Sequence, residues 1–584
     1  MQENSAHVNK HIRYEPEEPC PLAVSIGVGA QGVLLVVAPV VVNVAIVFRA
    51  AGQSERHLSW AVFAALVVSA ITTTLQALRV GRIGAGHVII AGPGPIFVAV
   101  CIAALTEGGP ATMASLVVVS SLVQFALAAW LPLLRRIVTP VVSGTAIMLI
   151  AYTIVPIALG LLDDVPEGAP PAAAPGIAGV TLVVATALAL RASGAWRLWS
   201  PLIGIVAGCV VAALFGLYDF QRVIDAPWVS IPWDEWRGPD LTPGPEFWGL
   251  LPMFVIVTLM LAINSISDGI VIQSASTRRP QATDFRVVQG ALNANGIGVL
   301  LAGLAGTLPT MGYTAGSTSL IGMTGVAARS VGYSIGGIFL GLAFLPKLVT
   351  LLLVIPGPVA GVYFIILIGL FFVAGMRTVL QDGLDFRNAT ITGLAFWIGV
   401  GVQNQAIFAD RLSGAWNILF GSGLTAGAFT AILLTLFLEL TSSRRRRMDV
   451  ELKLAMQPRI DAFLQELAAG IGWNDPSTER LRAAGEETLL SLLRQDEEGA
   501  GVGGRRLIIV ARPDGEAVEM EFLAVLEEEN LEDRLAYLKE QGETLDEAET
   551  SVRLLRHYAA SVRHRKYHGM DIVTVRVTGS RKTQ

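Results

Sequence analysis

Long apolar runs separated by short polar stretches fill the chain from residue 22 to residue 438. A helix that crosses a bilayer needs about 20 mainly apolar residues, and the runs predict about fourteen such helices in two sets of seven. A polar, Trp- and Pro-rich stretch from Tyr218 to Phe247 separates the sets. The predicted spans are 22–48, 58–78, 88–105, 111–134, 137–162, 176–190 and 198–217, followed by 248–274, 287–308, 314–326, 331–344, 348–376, 389–408 and 415–438.

Charged residues in the loops predict how these helices are oriented. Basic residues, which mark the cytoplasmic side, occur at 79–82, at 135–136 and in the run 444–447. Acidic loops at 163–164 and 219–240 fall on the opposite side. Both termini are then cytoplasmic, and the two sets of seven have opposite orientations, as in transporters built from inverted repeats.

Two spans have a composition that disfavours a continuous helix. The third contains GRIGAGHVIIAGPGPIFVAV and the tenth contains GTLPTMGYTAGSTSLIGMTGV, both rich in glycine and in the same place within their set of seven. Unwound backbone at membrane depth is tolerated only where it lines a cavity or is buried in protein. The pattern predicts two half-helices whose N-termini offer free N–H groups to an electronegative ligand.

Asp268 is the charged residue in the interior of the eighth span, and the interiors of the other predicted spans carry none. An ionisable group in hydrocarbon indicates a functional site. A carboxyl group in low-dielectric surroundings can exchange between its charged and neutral forms, so Asp268 is the candidate proton-coupling residue. Alternatively, since it lies about 27 Å along the helix from Leu250, it caps backbone near the cytoplasmic interface.

Composition narrows the class of protein. Of the 584 residues, 53% are hydrophobic and 15% charged, whereas about a quarter are charged in soluble proteins. This excludes a soluble enzyme. Cys20, Cys101 and Cys209 lie far apart and indicate neither a disulfide framework nor a metal cluster. We expect no metal and no cofactor. Residues 1–20 are polar and resemble no signal peptide, so they are expected to form a cytoplasmic segment.

Several stretches resemble the nucleobase–ascorbate transporter family, the xanthine/uracil permeases. Gln31 and Pro39 lie in the first span, and TPVVSGTAIMLI, DFRVVQGALNANGIGVLLAGLAGTLP, TGVAARSVG and LAFLPKLVTLLLVIPGPVAG follow along the chain. The resemblance covers residues 21–440. It implies a seven-plus-seven inverted repeat, made of residues 21–217 and 248–440. It also implies a core domain that moves against a gate domain, with the substrate site between the third, eighth and tenth helices.

The family's functional residues carry over in part. Asn264 and Asp268 stand where the family has Glu and then Asp or His, and Gly316 stands where its tenth-helix signature begins with an acid or amide. A nucleobase displays amide-like donors and acceptors, so it needs convergent polar groups in a mostly apolar pocket. The candidate substrate-binding residues are Gln31, Gly92, Gly94, Asn264, Asp268, Gly316, Ser317 and Thr318.

After residue 447 the composition becomes that of a soluble α/β domain, and the boundary is placed at 441. Two periodic helices, two strands around the turn at 513–515, a helix and a final strand are predicted. The order resembles the ATPase domain of histidine kinases and anti-sigma factors. In that fold a helix supplies Glu and then Asn to nucleotide and magnesium. Here Glu487 is followed by Ser491, which argues against ATP binding and for a degenerate regulatory or dimerising module.

Together these observations predict a secondary transporter that moves a purine or pyrimidine nucleobase across the inner membrane by H⁺ symport. Two alternatives stay open: a small-anion exchanger or channel of the same architecture, and a membrane sensor that signals through the C-terminal domain. The expected partners are the nucleobase, the lipid bilayer, a second copy of the chain and a regulatory protein at the C-terminal domain. No nucleic-acid partner is expected.

Overall fold

The described chain folds as two units. The larger comprises Ile12–Ser276 and Val287–Leu440, and the smaller comprises Met1–His11, Thr277–Arg286 and Thr441–Gln584. The computed structural model describes residues 11–129, 140–166, 168–193, 196, 199–232, 238–240, 242, 244–278, 283–380, 386–407, 423–441, 446–498, 506–514, 517–525, 557–567 and 570–580.

Helices dominate the larger unit, because backbone groups in hydrocarbon must find their hydrogen-bond partners within the chain. Only two three-residue strands interrupt the helices described there. The first half contains α1 (Leu22–Ala50), α2 (Glu55–Ala77), β1 (Ala91–Pro93), α3 (Val98–Glu107), α4 (Gly109–Ala129), α5 (Pro140–Leu162), α6 (Ala173–Arg191), α7 (Ser200–Leu214) and the short α8 (Phe220–Asp225). The second half contains α9 (Pro245–Ser276), α10 (Phe285–Ala305), β2 (Thr310–Gly312), α11 (Thr314–Thr324), α12 (Arg329–Ala343), α13 (Pro346–Leu353), α14 (Gly357–Leu380), α15 (Phe386–Gln403) and α16 (Gly423–Thr441).

Among the described residues, eight helices are long and apolar enough to cross a membrane, and a ninth span results if α12 and α13 count as one. The chain is therefore a polytopic helical membrane protein. The number fourteen stays a prediction, and the predicted span ends within 130–139 and 408–422 lie outside the described residues.

The predicted start of the twelfth span is wrong. Residues 348–353 belong to α13, which meets α12 at an angle of 85°. The span itself, α14, begins at Gly357. Prolines explain the difference, since Pro346 opens α13 and Pro356 lies in the break before α14, where a helix could not continue without losing a backbone hydrogen bond.

Close helix packing is achieved through small residues. A Cβ atom added to Gly144 on α5 would lie 2.5 Å from the carbonyl oxygen of Gly375 on α14. In turn, a Cβ atom added to Gly375 would lie 2.7 Å from the carbonyl oxygen of Gly144. Such contacts let two backbones approach directly, which is how membrane helices gain van der Waals energy.

Buried amides tie α10 to two neighbouring helices. Gln76 Nε2 on α2 donates to the Ala291 oxygen at 3.0 Å, and Gln124 Nε2 on α4 donates to the Leu292 oxygen at 3.3 Å. Polar side chains inside a membrane protein connect helices in this way. The part of the fold that includes α2, α4 and α10 is therefore held by hydrogen bonds as well as by apolar packing.

In the part of the smaller unit that the structure describes, two helices pack against a sheet. Its core combines Leu464 and Leu481 from the helices with Phe522 and Val575 from the strands, all fully buried. Its elements are β3 (Arg446–Glu451), α17 (Gln457–Gly470), α18 (Asp475–Glu498), β4 (Arg506–Asp514), β5 (Ala517–Val525), β6 (Ser561–Tyr567) and β7 (Met570–Thr578). The strand order is Thr283–Asp284, β6, β7, β5, β4, β3.

One predicted element of the smaller unit differs from the structure. Residues 561–567, expected at the end of a helix, form β6 and pair antiparallel with β7. The helix predicted before them falls mainly on residues outside the described ones.

Between α17 and α18, Arg482 Nη2 donates to Asp461 Oδ2 at 3.0 Å, and this carboxylate raises the pKa of the Arg482 guanidinium.

Candidate functional site

The two segments that the sequence predicts to be broken are broken, and they cross. β1 and β2 pair antiparallel, with Ala91 opposite Gly312. We call the contact between residues 90–94 and residues 309–313 the crossing. The pairing gives the N–H and C=O groups of the unwound backbone hydrogen-bond partners inside the larger unit, so these groups do not need water.

Further backbone bonds extend the pairing beyond the strands. The Tyr313 N–H donates to the Ile90 oxygen at 2.7 Å, and the Gly94 N–H donates to the Pro309 oxygen at 2.7 Å. Five consecutive residues on each side are thus fixed relative to one another. The crossing is a rigid base from which the helices on either side begin.

Both half-helices start at the crossing. α11 begins directly after it at Thr314, and α3 follows a short 3₁₀ turn at Pro95–Phe97. The N–H groups in the first turn of α11, at Thr314, Ala315 and Gly316, have no partner within the helix. Gly316 is half-buried. The positive end of the helix dipole and these donors suit an electronegative ligand group.

Asp268 on α9 lies against the crossing. A Cβ atom added to Gly312 would lie 2.7 Å from Asp268 Oδ2. The Thr314 side chain also faces the carboxylate, although it does not reach full hydrogen-bond geometry. The carboxylate is half-buried and sits beside the first residue of α11. A negative charge is favourable at that end of a helix.

Asn264 lies one helical turn before Asp268 and is half-buried. The spacing of four residues puts both side chains on one face of α9. Asn264 makes no side-chain hydrogen bond to the part of the chain that the structure describes. Its amide therefore keeps one donor group and one acceptor for a ligand.

Two candidate ligand groups are already used within the protein. The Ser317 hydroxyl accepts from the Ile90 N–H at 2.9 Å and donates to the Tyr313 oxygen at 3.1 Å. The Gly94 N–H is bonded to Pro309. In this conformation both groups support the crossing, because a fully buried hydroxyl with two partners has little left to offer a substrate.

The remaining candidates occupy different settings. The Thr318 hydroxyl donates to the Thr314 oxygen in its own helix at 2.8 Å. Gln31 is exposed on α1, next to Gly32, where α1 packs closely on α11. Gly92 is buried at the crossing, where an added Cβ atom would lie 2.8 Å from the Tyr313 ring. Gly92 thus makes room for an aromatic ring, a role that its sequence context did not indicate.

Tyr313 and Asn43 are site residues that the sequence analysis missed. The Tyr313 hydroxyl donates to the Pro93 oxygen at 2.6 Å, and Asn43 Nδ2 donates to the same oxygen at 3.2 Å. Pro93 stays in register opposite Thr310, and these two side chains supply its carbonyl oxygen with donors from outside the strand pair. An asparagine in an otherwise apolar stretch of the first span was the available signal.

A buried polar chain ties α9 to the crossing and was missed as well. Thr310 Oγ1 donates to Asn295 Oδ1 at 3.3 Å, and Asn295 Nδ2 donates to Ser265 Oγ at 3.2 Å. Ser265 precedes Asp268 by three residues and so shares its helix face. These hydrogen bonds fix the position of α9, and with it that of the Asp268 carboxylate, relative to β2.

Ser317→Ala is expected to destabilise the protein more than it weakens ligand binding. It would leave the buried Ile90 N–H without its partner, at a cost of about 1–3 kcal/mol. We expect a lower melting temperature for the purified protein. Ser319→Ala, in the same helix, is the matched control. A ligand affinity that falls strongly at unchanged melting temperature would show that the hydroxyl binds ligand directly.

The fold and the site define a polytopic helical membrane transporter with crossed half-helices. The family model of the xanthine/uracil permeases, described as the Permease family, matches residues 24–407. That is more than half of the chain, so the chain belongs to this family. The match ends before the smaller unit's C-terminal segment begins.

Curated relatives span most of the same region. The xanthine permease XanP of Escherichia coli is 26% identical over 447 residues, which is 73% of this chain and 95% of that protein. The uric acid permease PucK of Bacillus subtilis is 28% identical over 429 residues, covering 70% and 94% of the two chains.

Among solved structures, the murine Solute Carrier 26 family member A9 anion transporter in its inward-facing state superposes with a TM-score of 0.50. The identity is 11%, over 75% of this chain and 71% of that one. At that identity the likeness concerns the fold alone.

Proposed function

We propose that this chain is a secondary active permease that carries a purine or pyrimidine nucleobase, of the xanthine, uracil or urate type, across the inner membrane. Its family membership and the names of its relatives support this substrate class. The single observation that carries the proposal is the placement of Asn264 and Asp268 on one face of α9, beside the crossing and the open end of α11.

The chemistry of these groups fits a flat heterocycle with amide-like edges. The Asn264 amide can pair with an N–H and a carbonyl of the base, and the free N–H groups of α11 can bind a ring carbonyl or an acidic ring nitrogen. Apolar side chains beside the crossing, such as Val36 next to Gly316 and Val40 next to Gly92, would bury the ring faces of the base. Few but well-placed polar groups in an apolar setting are typical of small-molecule sites.

We infer that transport is coupled to protons through Asp268. A proton taken up on the outer side and released inside would change the charge at the N-terminus of α11 once per cycle. Because the crossing and α9 are joined by hydrogen bonds through Asn295, they would move as one body. Alternating access then arises from motion of that body against the remaining helices.

A small-anion exchanger is the second candidate, and one observation favours it. Gly316, Ser317 and Ser319 leave the first two turns of α11 without an acid, and an open helix N-terminus is suited to anions. In the third candidate, a sensor, the larger unit would bind ligand and signal through the C-terminal module.

Ligand binding to the purified protein separates the first two candidates. We expect xanthine, urate or uracil to raise the melting temperature in a concentration-dependent way, and bicarbonate, sulfate and chloride to leave it unchanged. Stabilisation by a small anion alone would contradict the nucleobase proposal. Uptake into proteoliposomes should then require an inward proton gradient.

We further propose that the C-terminal module, residues 441–584, regulates transport without binding ATP, with both chain termini in the cytoplasm. Glu487 and Ser491 lie on α18, with Ser491 buried, and a hydroxyl replaces the amide that would hold magnesium. A transporter should keep its flux when this module is removed, whereas a sensor would show no flux with or without it.

A further inference from the structure

Residues 12–18 run along the end of the tenth segment that is remote from the crossing, and we call them the N-terminal strap. The Arg13 and Tyr14 N–H groups both donate to the Gly325 oxygen, at 2.6 and 3.2 Å. The Ala327 N–H donates to the Tyr14 oxygen at 2.8 Å. Tyr14 and Val326 form a parallel bridge. The strap therefore behaves as a short strand laid against the link between α11 and α12.

That link needs such support. Gly325 ends α11 in the left-handed conformation, with φ of +69°, and α12 starts at Arg329. The Arg329 N–H, one of the donors left free at a helix N-terminus, donates to the Pro16 oxygen at 3.2 Å. Ile12 and Pro16 are buried. The strap supplies partners that the two helices cannot supply to each other.

The strap also reaches the third segment through one arginine. Arg329 Nη2 bonds to Glu17 Oε1 at 2.7 Å, and Arg329 Nε donates to the Gly86 oxygen at 2.9 Å. Arg79 lies 3.7 Å from the same Glu17 oxygen. Gly86 is five residues before β1, and its own N–H is bonded to the oxygens of Gln76 and Leu78. A single guanidinium thus joins the strap, the start of α12 and the loop that leads into β1.

We propose that the N-terminal strap belongs to the substrate-binding machinery, with Glu17 and Arg329 as positioning residues that hold the remote end of the tenth segment in register with the loop that leads into β1. Hydrogen bonds at the crossing fix the start of the tenth segment, and the strap fixes its far end and, through Gly86, the loop before β1. The half-helix terminus and Asp268 are then held in binding geometry before the ligand arrives. This inference rests on the proposed function for its effect on affinity.

The strap should change affinity more than turnover. If the strap loosens, the segments sample more arrangements, and apparent affinity falls in proportion to the population that can bind. Glu17 is 73% exposed at its side chain and Arg329 25% exposed, so the ion pair alone has a modest effect. Arg329 contributes more, because its planar fork serves two acceptors at once.

The test compares four variants in the full chain. Glu17→Gln removes the ion pair, Arg329→Gln removes both contacts, and Arg329→Lys keeps the charge but loses the fork. Glu107→Gln, an exposed carboxylate at the end of α3, is the matched control. The measurements are the dissociation constant for xanthine or uracil, KM and maximal rate in proteoliposomes, and hydrogen exchange of peptides covering residues 84–94 and 310–325.

We expect Glu17→Gln to weaken binding about three- to fivefold and Arg329→Gln about tenfold, with Arg329→Lys between them. Maximal rates should stay within about twofold, and both peptides should exchange faster in Glu17→Gln and Arg329→Gln, while Glu107→Gln matches wild type. Unchanged affinity in Glu17→Gln and Arg329→Gln overturns the proposal, even where exchange rises, because the strap would then only stabilise the fold.

Exchange also separates the failure of this proposal from that of the proposed function. If wild type binds none of the nucleobases, the proposed function fails. Faster exchange in both peptides of Glu17→Gln would still support the strap as the element that holds the two segments. Unchanged exchange in that variant would overturn it. If Arg329→Gln does not accumulate in membranes, Glu17→Gln decides alone.

Discussion

Asp268→Asn is expected to abolish accumulation of the nucleobase against its gradient while binding and exchange persist. Asparagine has the size and shape of aspartate and can still face Gly312 and Thr314, but it has no titratable proton. A carrier with that change can load and release substrate, whereas it cannot move a proton with it. Measured in proteoliposomes, proton-driven uptake should fall at least about tenfold, the equivalent of 1.4 kcal/mol in the coupled step.

The control for this prediction is Asp163→Asn, which changes an exposed carboxylate between α5 and α6 and should leave uptake at the level of wild type. Counterflow, in which labelled substrate outside exchanges with unlabelled substrate inside, needs no net proton movement and should survive in Asp268→Asn. If Asp268→Asn still accumulates substrate at every pH, proton coupling lies elsewhere. If counterflow is lost together with uptake, the carboxylate binds substrate instead.

The positions of the broken segments could be predicted because their cause is local. Glycine and proline disfavour helix over a few residues, and the third and tenth segments break where those residues cluster. The break between α13 and α14 has the same kind of cause, yet the predicted span at 348–376 ran across it. Apolar composition outweighed the prolines in that interpretation, although Pro346 and Pro356 mark both ends of α13.

The contacts between the segments could not be predicted, because their partners are far apart in sequence. Ile90 and Ser317 are separated by 227 residues, and no periodicity in either segment encodes their bond. The assignment of Ser317 to the ligand followed from its residue type and its place in a motif. Only the fold shows that a backbone N–H already occupies its hydroxyl.

The contacts of the N-terminal strap could not be predicted from the sequence either. Residues 12–18 are polar and precede the first span, so their composition indicates a solvated segment. Glu17 and Arg329 lie 312 positions apart, and an arginine after a short helix is ordinary at a membrane surface. The interaction becomes visible only when backbone bonds place the strap against Gly325.

Gly312→Ala is expected to impair the site more than any other single added methyl group at the crossing. The new Cβ atom would lie 2.7 Å from Asp268 Oδ2 and 3.1 Å from Ile89 Cγ2, both closer than ordinary van der Waals contact. The backbone cannot shift to relieve this, because Gly312 is paired with Ala91. The short Asp268 side chain must therefore move away from the N-terminus of α11.

Displacing that carboxylate should affect binding and coupling together. We expect nucleobase affinity to fall at least about tenfold, since a displacement near 1 Å at a reacting group can cost a factor of 100. Gly337→Ala, on α12 with no atom within 4 Å of the added carbon, is the matched control. Normal affinity in Gly312→Ala, at normal melting temperature, would place the ligand away from the Asp268 side of the crossing. The ligand would then be expected at the N-terminus of the other half-helix, α3, which begins beyond Pro95.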